Sequence, residues 1–296
     1  MTKKIFIAAA IILVGGGLWL TLQTKSGGGN ARALIPAQGI THGHGLAVDP
    51  NNRENLYIAT HHGLLVLKNE KDLFRVGQMQ DDYMGFSAHP TDSDVFYSSG
   101  HPSSGGNFGF QRSDDGGFTW HKISDGLNGP VDFHAMTVSP VDPNVIYGWF
   151  QGDIQSTKNA GADWARHPTA FPVVHLSVDT SDANTVYASA PTGFFKSIDA
   201  GATWIKLIEG PTATSAVHPI DQSILSVSQV HGLAKSTDGG ATWKSVPESF
   251  TGETPLYISF YRADPKLVYL ITEKNSIYKS TDAGMTWEKL AAGQTQ

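Results

Sequence analysis

The chain has 296 residues, 40% hydrophobic and 16% charged, with 32 glycines, 12 histidines, no cysteine and a net charge of −6. That length supports one large domain or two small ones, and the lack of cysteine excludes disulfide frameworks, thiolate metal sites and cysteine nucleophiles. The first thirty residues contain Lys3, Lys4 and Lys25 and no acid, so the remainder carries −9; an acidic body without a basic stripe excludes nucleic acid as the expected partner.

Lys3 and Lys4 precede an uncharged run from Ile5 to Leu22. A cationic start followed by an apolar stretch is the pattern of an export signal. As a helix the run would reach about 27 Å, close to the thickness of a bilayer core, so it also suits a membrane anchor. Ser26 to Asn30 reads as a flexible tether, and Ala31-Arg32-Ala33 offers a small-x-small cleavage site. Residues 1–30 are therefore expected to be a signal peptide or anchor, and residues 31–296 an extracytoplasmic domain.

From residue 45 onward the pattern is short β-branched and aromatic runs between Gly, Pro and Asp clusters, which predicts strands. Gly45 to Val48 is the model for a first strand, followed by a turn at Asp49-Pro50 and a second strand, Leu56 to Ala59. The second strand recurs at Val95 to Tyr97, Val145 to Tyr147, Thr185 to Tyr187, Ile224 to Ser226 and Leu267 to Tyr269. A third strand such as Gly193 to Lys196 leads into a repeated octapeptide, and a fourth such as Trp204 to Leu207 leaves it.

The octapeptide is the strongest signal in the chain. It reads SDDGGFTW at Ser113–Trp120, SIDAGATW at Ser197–Trp204, STDGGATW at Ser236–Trp243 and STDAGMTW at Ser280–Trp287, with a worn copy, TKNAGADW, at Thr157–Trp164. Successive tryptophans are 44, 40, 39 and 44 residues apart. Ser and Asp oxygens at this spacing close a turn onto backbone N–H groups, and Gly supplies a left-handed conformation. Asp115, Asn159, Asp199, Asp238 and Asp282 are accordingly assigned as turn closers. The first repeat keeps its strands and has Lys68 to Phe74 where the box would be. Six repeats of four strands, each of about 40 residues, predict an all-β, six-bladed propeller.

The S-x-D-x-G-x-T-W copies resemble the Asp-box repeats of sialidases, other glycoside hydrolases, sortilin-type receptors and the photosystem II assembly factor of plastids and cyanobacteria. The resemblance spans residues 40–296 and implies the propeller fold; it does not imply one chemistry. A sialidase would need three arginines around the substrate carboxylate and a Tyr nucleophile backed by Glu. Arg32, Arg53, Arg75, Arg112, Arg166 and Arg262 are the arginines present, and none falls at a rim position. An assembly factor for a membrane complex is a further implication, without the arginine patch expected of that relative.

Tyr57, Tyr97, Tyr147, Tyr187, Ser226 and Tyr269 serve as a ruler on the second strands. Thirteen residues before it stand His44, Met84, His134, Val174, Ala213 and Leu256. Fifteen before it stand His42, Asp82, Asp132, Pro172, Pro211 and Thr254; four after it stand His61, His101, Gln151, Pro191, Val230 and Glu273. Because strands alternate in direction, all these positions belong to one face. Blades one to three thus bring His42, His44, His61, His62, His101, His134, Asp82 and Asp132 to one half of the rim, with Glu273 from blade six.

Imidazoles and carboxylates together ligate divalent transition ions and transfer protons. The expected function is binding of a glycan, protein or small ligand, or of a divalent transition metal through His42, His44, His61, His101 and His134. The alternatives are a glycoside hydrolase with Asp82 and Asp132 as its carboxyl pair, a metal-dependent hydrolase, and a solvated structural rim whose polar groups bond water or loop carbonyls. His89 and His218, each before a proline, are assigned to turns.

Overall fold

The computed structural model describes residues 32–247, 250 and 252–291. The expected leader helix and tether lie outside them. Among the described residues no helix is long and apolar enough to cross a membrane.

Six antiparallel sheets follow one another along the chain. Blade one runs Gly43–Asp49, Asn52–Thr60, Gly63–Lys68 and Asp72–Val76, with Leu34–Pro36 added to its outer edge as a fifth strand. The inner strands of blades two to six are Asp82–Ala88, Ala135–Val138, His175–Val178, Thr212–Val217 and Pro255–Phe260. Each is hydrogen-bonded to the next strand outward, and each blade is a contiguous stretch of chain.

Six apolar clusters hold the blades together, one at each seam. Tyr97, Phe110, Phe133 and Met136 fill the seam between blades two and three. Leu56, Ile58 and Leu67 of blade one meet Leu267, Tyr269 and Ile271 of blade six. That sixth cluster closes the ring. Closure uses side chains rather than a shared strand: Leu34–Pro36 pairs within its own blade.

The octapeptides do the mechanical work expected of them. Asp199 Oδ1 accepts the Thr203 N–H at 2.8 Å and its Oδ2 accepts the Thr203 hydroxyl at 2.7 Å, while Ser197 Oγ accepts the Gly201 N–H at 2.8 Å. Asp115, Asp238 and Asp282 repeat this pattern. Thr hydrogen bonds hold the Asp199 and Asp238 carboxyls down to about 2. In the worn copy the roles are exchanged: Asn159 Nδ2 donates to Asp163 Oδ2 at 2.9 Å.

Each box also docks on the preceding blade. At Gly161, φ is +89° and a Cβ would stand 2.1 Å from the Phe110 ring, so only glycine lets the turn approach. The tryptophan precedes the fourth strand rather than starting it, and Trp164 Nε1 donates to the Gly161 carbonyl at 3.0 Å. In blade one the three-residue turn Asn69 to Lys71, with Asn69 and Glu70 at positive φ, replaces the box. There Glu70 carries the docking contact, binding Lys279 Nζ at 2.6 Å across the closing seam.

The ruler is a true structural equivalence. Tyr57, Tyr97, Tyr147, Tyr187, Ser226 and Tyr269 pair with Ala47, Ser87, Thr137, Ser177, Ser215 and Ser259 of the inner strands. The five tyrosines are in or near the seams, and Tyr97, Tyr147, Tyr187 and Tyr269 are among the largest fully buried side chains.

Candidate functional site

Two clusters of ligating side chains form where blades one to three meet. The first holds His42, His44 and His61, which offer ligand atoms all within 4.8 Å of one another. His44 sits where the pairing of the inner strand slips between Gly43 and Gly45, a bulge that re-aims its side chain. His42 has φ +46° just before the strand, and His61 lies in the turn after Thr60. The His42 and His61 rings stack at 4.9 Å with 21° between planes, and the His44 ring meets His61 edge-on at 4.1 Å.

Asp82 of blade two faces this cluster. Its Oδ2 is 2.5 Å from His61 Nδ1 and its Oδ1 is 3.8 Å from His44 Nε2. Both His44 Nε2 and Asp82 Oδ1 are buried without a hydrogen-bond partner. Burial, helped by the neighbouring His61 and opposed by Asp82, lowers His44 to about 4 and leaves it neutral at ordinary pH. A neutral imidazole with an unpaired buried nitrogen is in the state that a metal ion requires.

The second cluster is His101, Asp132 and His134. Asp132 Oδ2 lies 2.9 Å from His101 Nε2 and 2.8 Å from His134 Nε2, and Asp132 Oδ1 is buried with no partner. The hydrogen bond to Asp132 raises His134, against the effect of burial. His101 Nδ1 is 2.9 Å from the Gly106 carbonyl. A carbonyl only accepts, so Nδ1 carries a proton, and His101 Nε2 faces a carboxylate oxygen. Two acceptors at 2.9 Å repel unless a proton or a cation lies between them or replaces the contact. An Nδ1–H held by a main-chain carbonyl is also how ligating histidines are commonly oriented.

The clusters are contiguous. Asp82 and His101 stand directly opposite each other on neighbouring strands of blade two, which places their side chains on one face. Asp81, buried behind them, accepts the Ser103 N–H at 2.9 Å and so anchors the Gly-rich loop that carries Gly106.

Other candidates fall elsewhere. His62 is exposed, its ring 6.4 Å from that of His61, and is in neither cluster. Glu273 accepts the Thr254 N–H within blade six. His89 and His218 serve their turns, each Nδ1 accepting two backbone N–H groups. His134 shares strand parity with Met136, which packs between blades, yet it reaches the channel as well as Asp132.

Beneath the clusters a cavity of about 520 Å³ follows the ring axis, with His44 and His134 in its wall. His175 and Tyr257 also line it, their rings edge-on at 5.7 Å. Sequence reasoning missed both. They stand twelve residues before the ruler, one place beyond the positions compared, and that shift was the available signal. His175 Nδ1 is buried without a partner, and burial lowers this histidine to about 4.

The fold has many relatives of known structure. The chain superimposes on the GH74 xyloglucanase of Xanthomonas campestris with a TM-score of 0.59 and 16% identity, covering 88% of this chain and 46% of that one. It matches YCF48 bound to D1 peptide with a TM-score of 0.57 and 14% identity, covering 88% and 86%. YCF48 from Cyanidioschyzon merolae gives 0.56, 16%, 87% and 87%. These likenesses establish the propeller architecture. The chain spans about half the length of the GH74 protein and most of the YCF48 proteins. No protein-family model matches the sequence, and no curated protein does.

Proposed function

We propose that this is an exported propeller that binds divalent transition-metal ions at the rim of blades one to three. His42, His44 and His61 would hold one ion, with Asp82 orienting His61 through Nδ1. His101, His134 and Asp132 would hold a second, with the Gly106 carbonyl orienting His101. One observation carries the reading: two adjacent triads of ligand atoms, with Asp82 beside the first, present three buried polar atoms, His44 Nε2, Asp82 Oδ1 and Asp132 Oδ1, with no hydrogen-bond partner. Such atoms are costly unless something pairs with them.

Three imidazoles suit zinc, and two imidazoles with a carboxylate suit iron or manganese as well. Either set leaves coordination positions for water or a substrate oxygen, which is the basis on which metal-dependent hydrolysis would operate. A glycosidase reading of Asp82 and Asp132 has less support, because both carboxylates are already engaged by imidazoles.

Elemental analysis of the purified full chain after exposure to zinc, manganese or iron(II) tests this. Stoichiometric metal is expected, with one share lost in His44→Ala and His61→Ala and the other in His101→Ala and His134→Ala. A wild-type chain that retains no metal and shows no saturable uptake overturns the reading.

A whole-length likeness to YCF48 supports a second reading, in which the propeller holds a peptide of a membrane complex. Metal-independent capture of such a peptide would favour it.

A further inference from the structure

The axial cavity has a chemistry of its own beyond the two cluster histidines, His44 and His134, that line it. Its waist is set by register: the inner-strand partners of the ruler residues are Ala47, Ser87, Thr137, Ser177, Ser215 and Ser259, and all six line the cavity. Five of the six are hydroxyls. Ser177 and Ser215 bond each other at 2.8 Å, which uses one of their two protons. Ser259 Oγ accepts the Val48 N–H at 3.3 Å and keeps its own proton. Ser87 Oγ donates to the Met136 carbonyl at 3.3 Å, so the donors to spare are Ser259 and one of Ser177 and Ser215.

The chain holds 27 acidic residues and is net −6, yet no Asp or Glu lines this cavity among the described residues. The charged group that does is Arg262, in the turn after the inner strand of blade six. Its Nη2 reaches the Pro140 carbonyl of blade three at 3.5 Å. Blades six and three are opposite members of a six-membered ring, so the guanidinium lies across the mouth remote from His44 and His134, where His89 also lines the wall. No carboxylate is within 4.0 Å of it among the described residues. The side chain stands exposed at this mouth. A cation without a counter-ion, above a ring of hydroxyl donors, is complementary to an anion.

We propose that the channel binds a small organic anion, its carboxylate or phosphate head on Arg262 and a hydroxylated body along the ring of Ser and Thr. The cavity is large enough for a ligand of sugar-acid or sugar-phosphate size and too small for a polymer. The site shares its channel with the proposed metal centre, whose His44 and His134 also line it, but its cation stands at the opposite mouth and needs no metal.

Calorimetric titration of the full chain with gluconate, glucose 6-phosphate, inorganic phosphate and glucose tests the idea. The two hydroxylated anions are expected to bind more tightly than phosphate or glucose, and their ranking tells carboxylate from phosphate. Arg262→Gln should weaken them about tenfold or more, and Arg262→Lys should restore part of the loss. Ser215→Ala should weaken gluconate and glucose 6-phosphate while leaving phosphate unchanged. Arg262 is at an exposed mouth, so an unchanged melting temperature will separate lost binding from lost folding. The proposal is overturned if neither hydroxylated anion binds saturably, or if Arg262→Gln binds as the wild type does. It is also overturned if chelator treatment abolishes binding, since the anion would then be sitting on a rim metal.

Discussion

Glu70 Oε1 stands 2.5 Å from the Tyr269 hydroxyl, across the seam where the last blade meets the first. The same oxygen takes Lys279 Nζ at 2.6 Å, and both charged side chains are about four-fifths buried. In the other five blades a tryptophan-bearing turn makes the equivalent contact with the preceding blade. Here one carboxylate does it. Glu70→Ala leaves a largely buried ammonium without its carboxylate and the Tyr269 hydroxyl with only the Arg53 carbonyl as acceptor, and should destabilise the fold by about 2 kcal/mol. Urea unfolding measures this. A loss below about 0.5 kcal/mol would show that the apolar cluster alone seals the ring.

The worn octapeptide of blade three predicts a compensating pair. Asn159 Oδ1 accepts the Asp163 N–H at 2.9 Å and its Nδ2 donates to the Asp163 carboxylate. Asn159→Asp sets two carboxylates against each other, at a cost of about 1 kcal/mol. Adding Asp163→Thr recreates the arrangement of Asp199 with Thr203 and should recover the loss. A double-mutant cycle reads the coupling; additive effects would mean that the two side chains act independently.

Asp82 touches the first histidine cluster and not the second. Asp82→Asn keeps the shape but weakens the hold on His61 Nδ1, and should reduce metal affinity at that cluster about 10–100-fold. Uptake through His101, Asp132 and His134 should remain. Equal loss at both clusters, read by competitive titration with a chromophoric chelator, would mean that they form one indivisible centre.

His175 gives a pH dependence of known sign. Burial lowers it from the ordinary 6.5 to about 4, so the folded chain binds fewer protons than the unfolded chain in that interval. Its contribution is complete above 6.5 and is lost as pH falls toward 4. Between about pH 7.5 and pH 5 the wild type should lose about 2 kcal/mol more than His175→Leu. His44, lowered in the same direction, remains in both proteins. Chemical denaturation at the two pH values decides it, and parallel losses would refute the assignment.

The blades were legible because the octapeptides are local. Ser197, Asp199, Gly201 and Thr203 close their turn on one another, so four positions in eight specify it. The meeting of His44, His61 and Asp82 was legible only through the ruler, since register converts sequence position into height along the ring axis. What escaped is what register does not carry. Bulges move His44 and leave Ala213 and Leu256 at matching slips, and the orphaned nitrogen of His175 depends on neighbours from other blades. Glu70 could not be matched to Lys279 because nothing local links residues 209 positions apart.

The manner of closure has a consequence for biosynthesis. Five of the six seams join neighbours along the chain and can be laid down in order as the polypeptide emerges. The remaining one must wait. Until blade six has been made, Leu56, Ile58 and Leu67 have none of the cover that Leu267, Tyr269 and Ile271 supply. A nascent or interrupted chain therefore displays a greasy flank that the finished ring hides, and that flank is where a chaperone would be needed most.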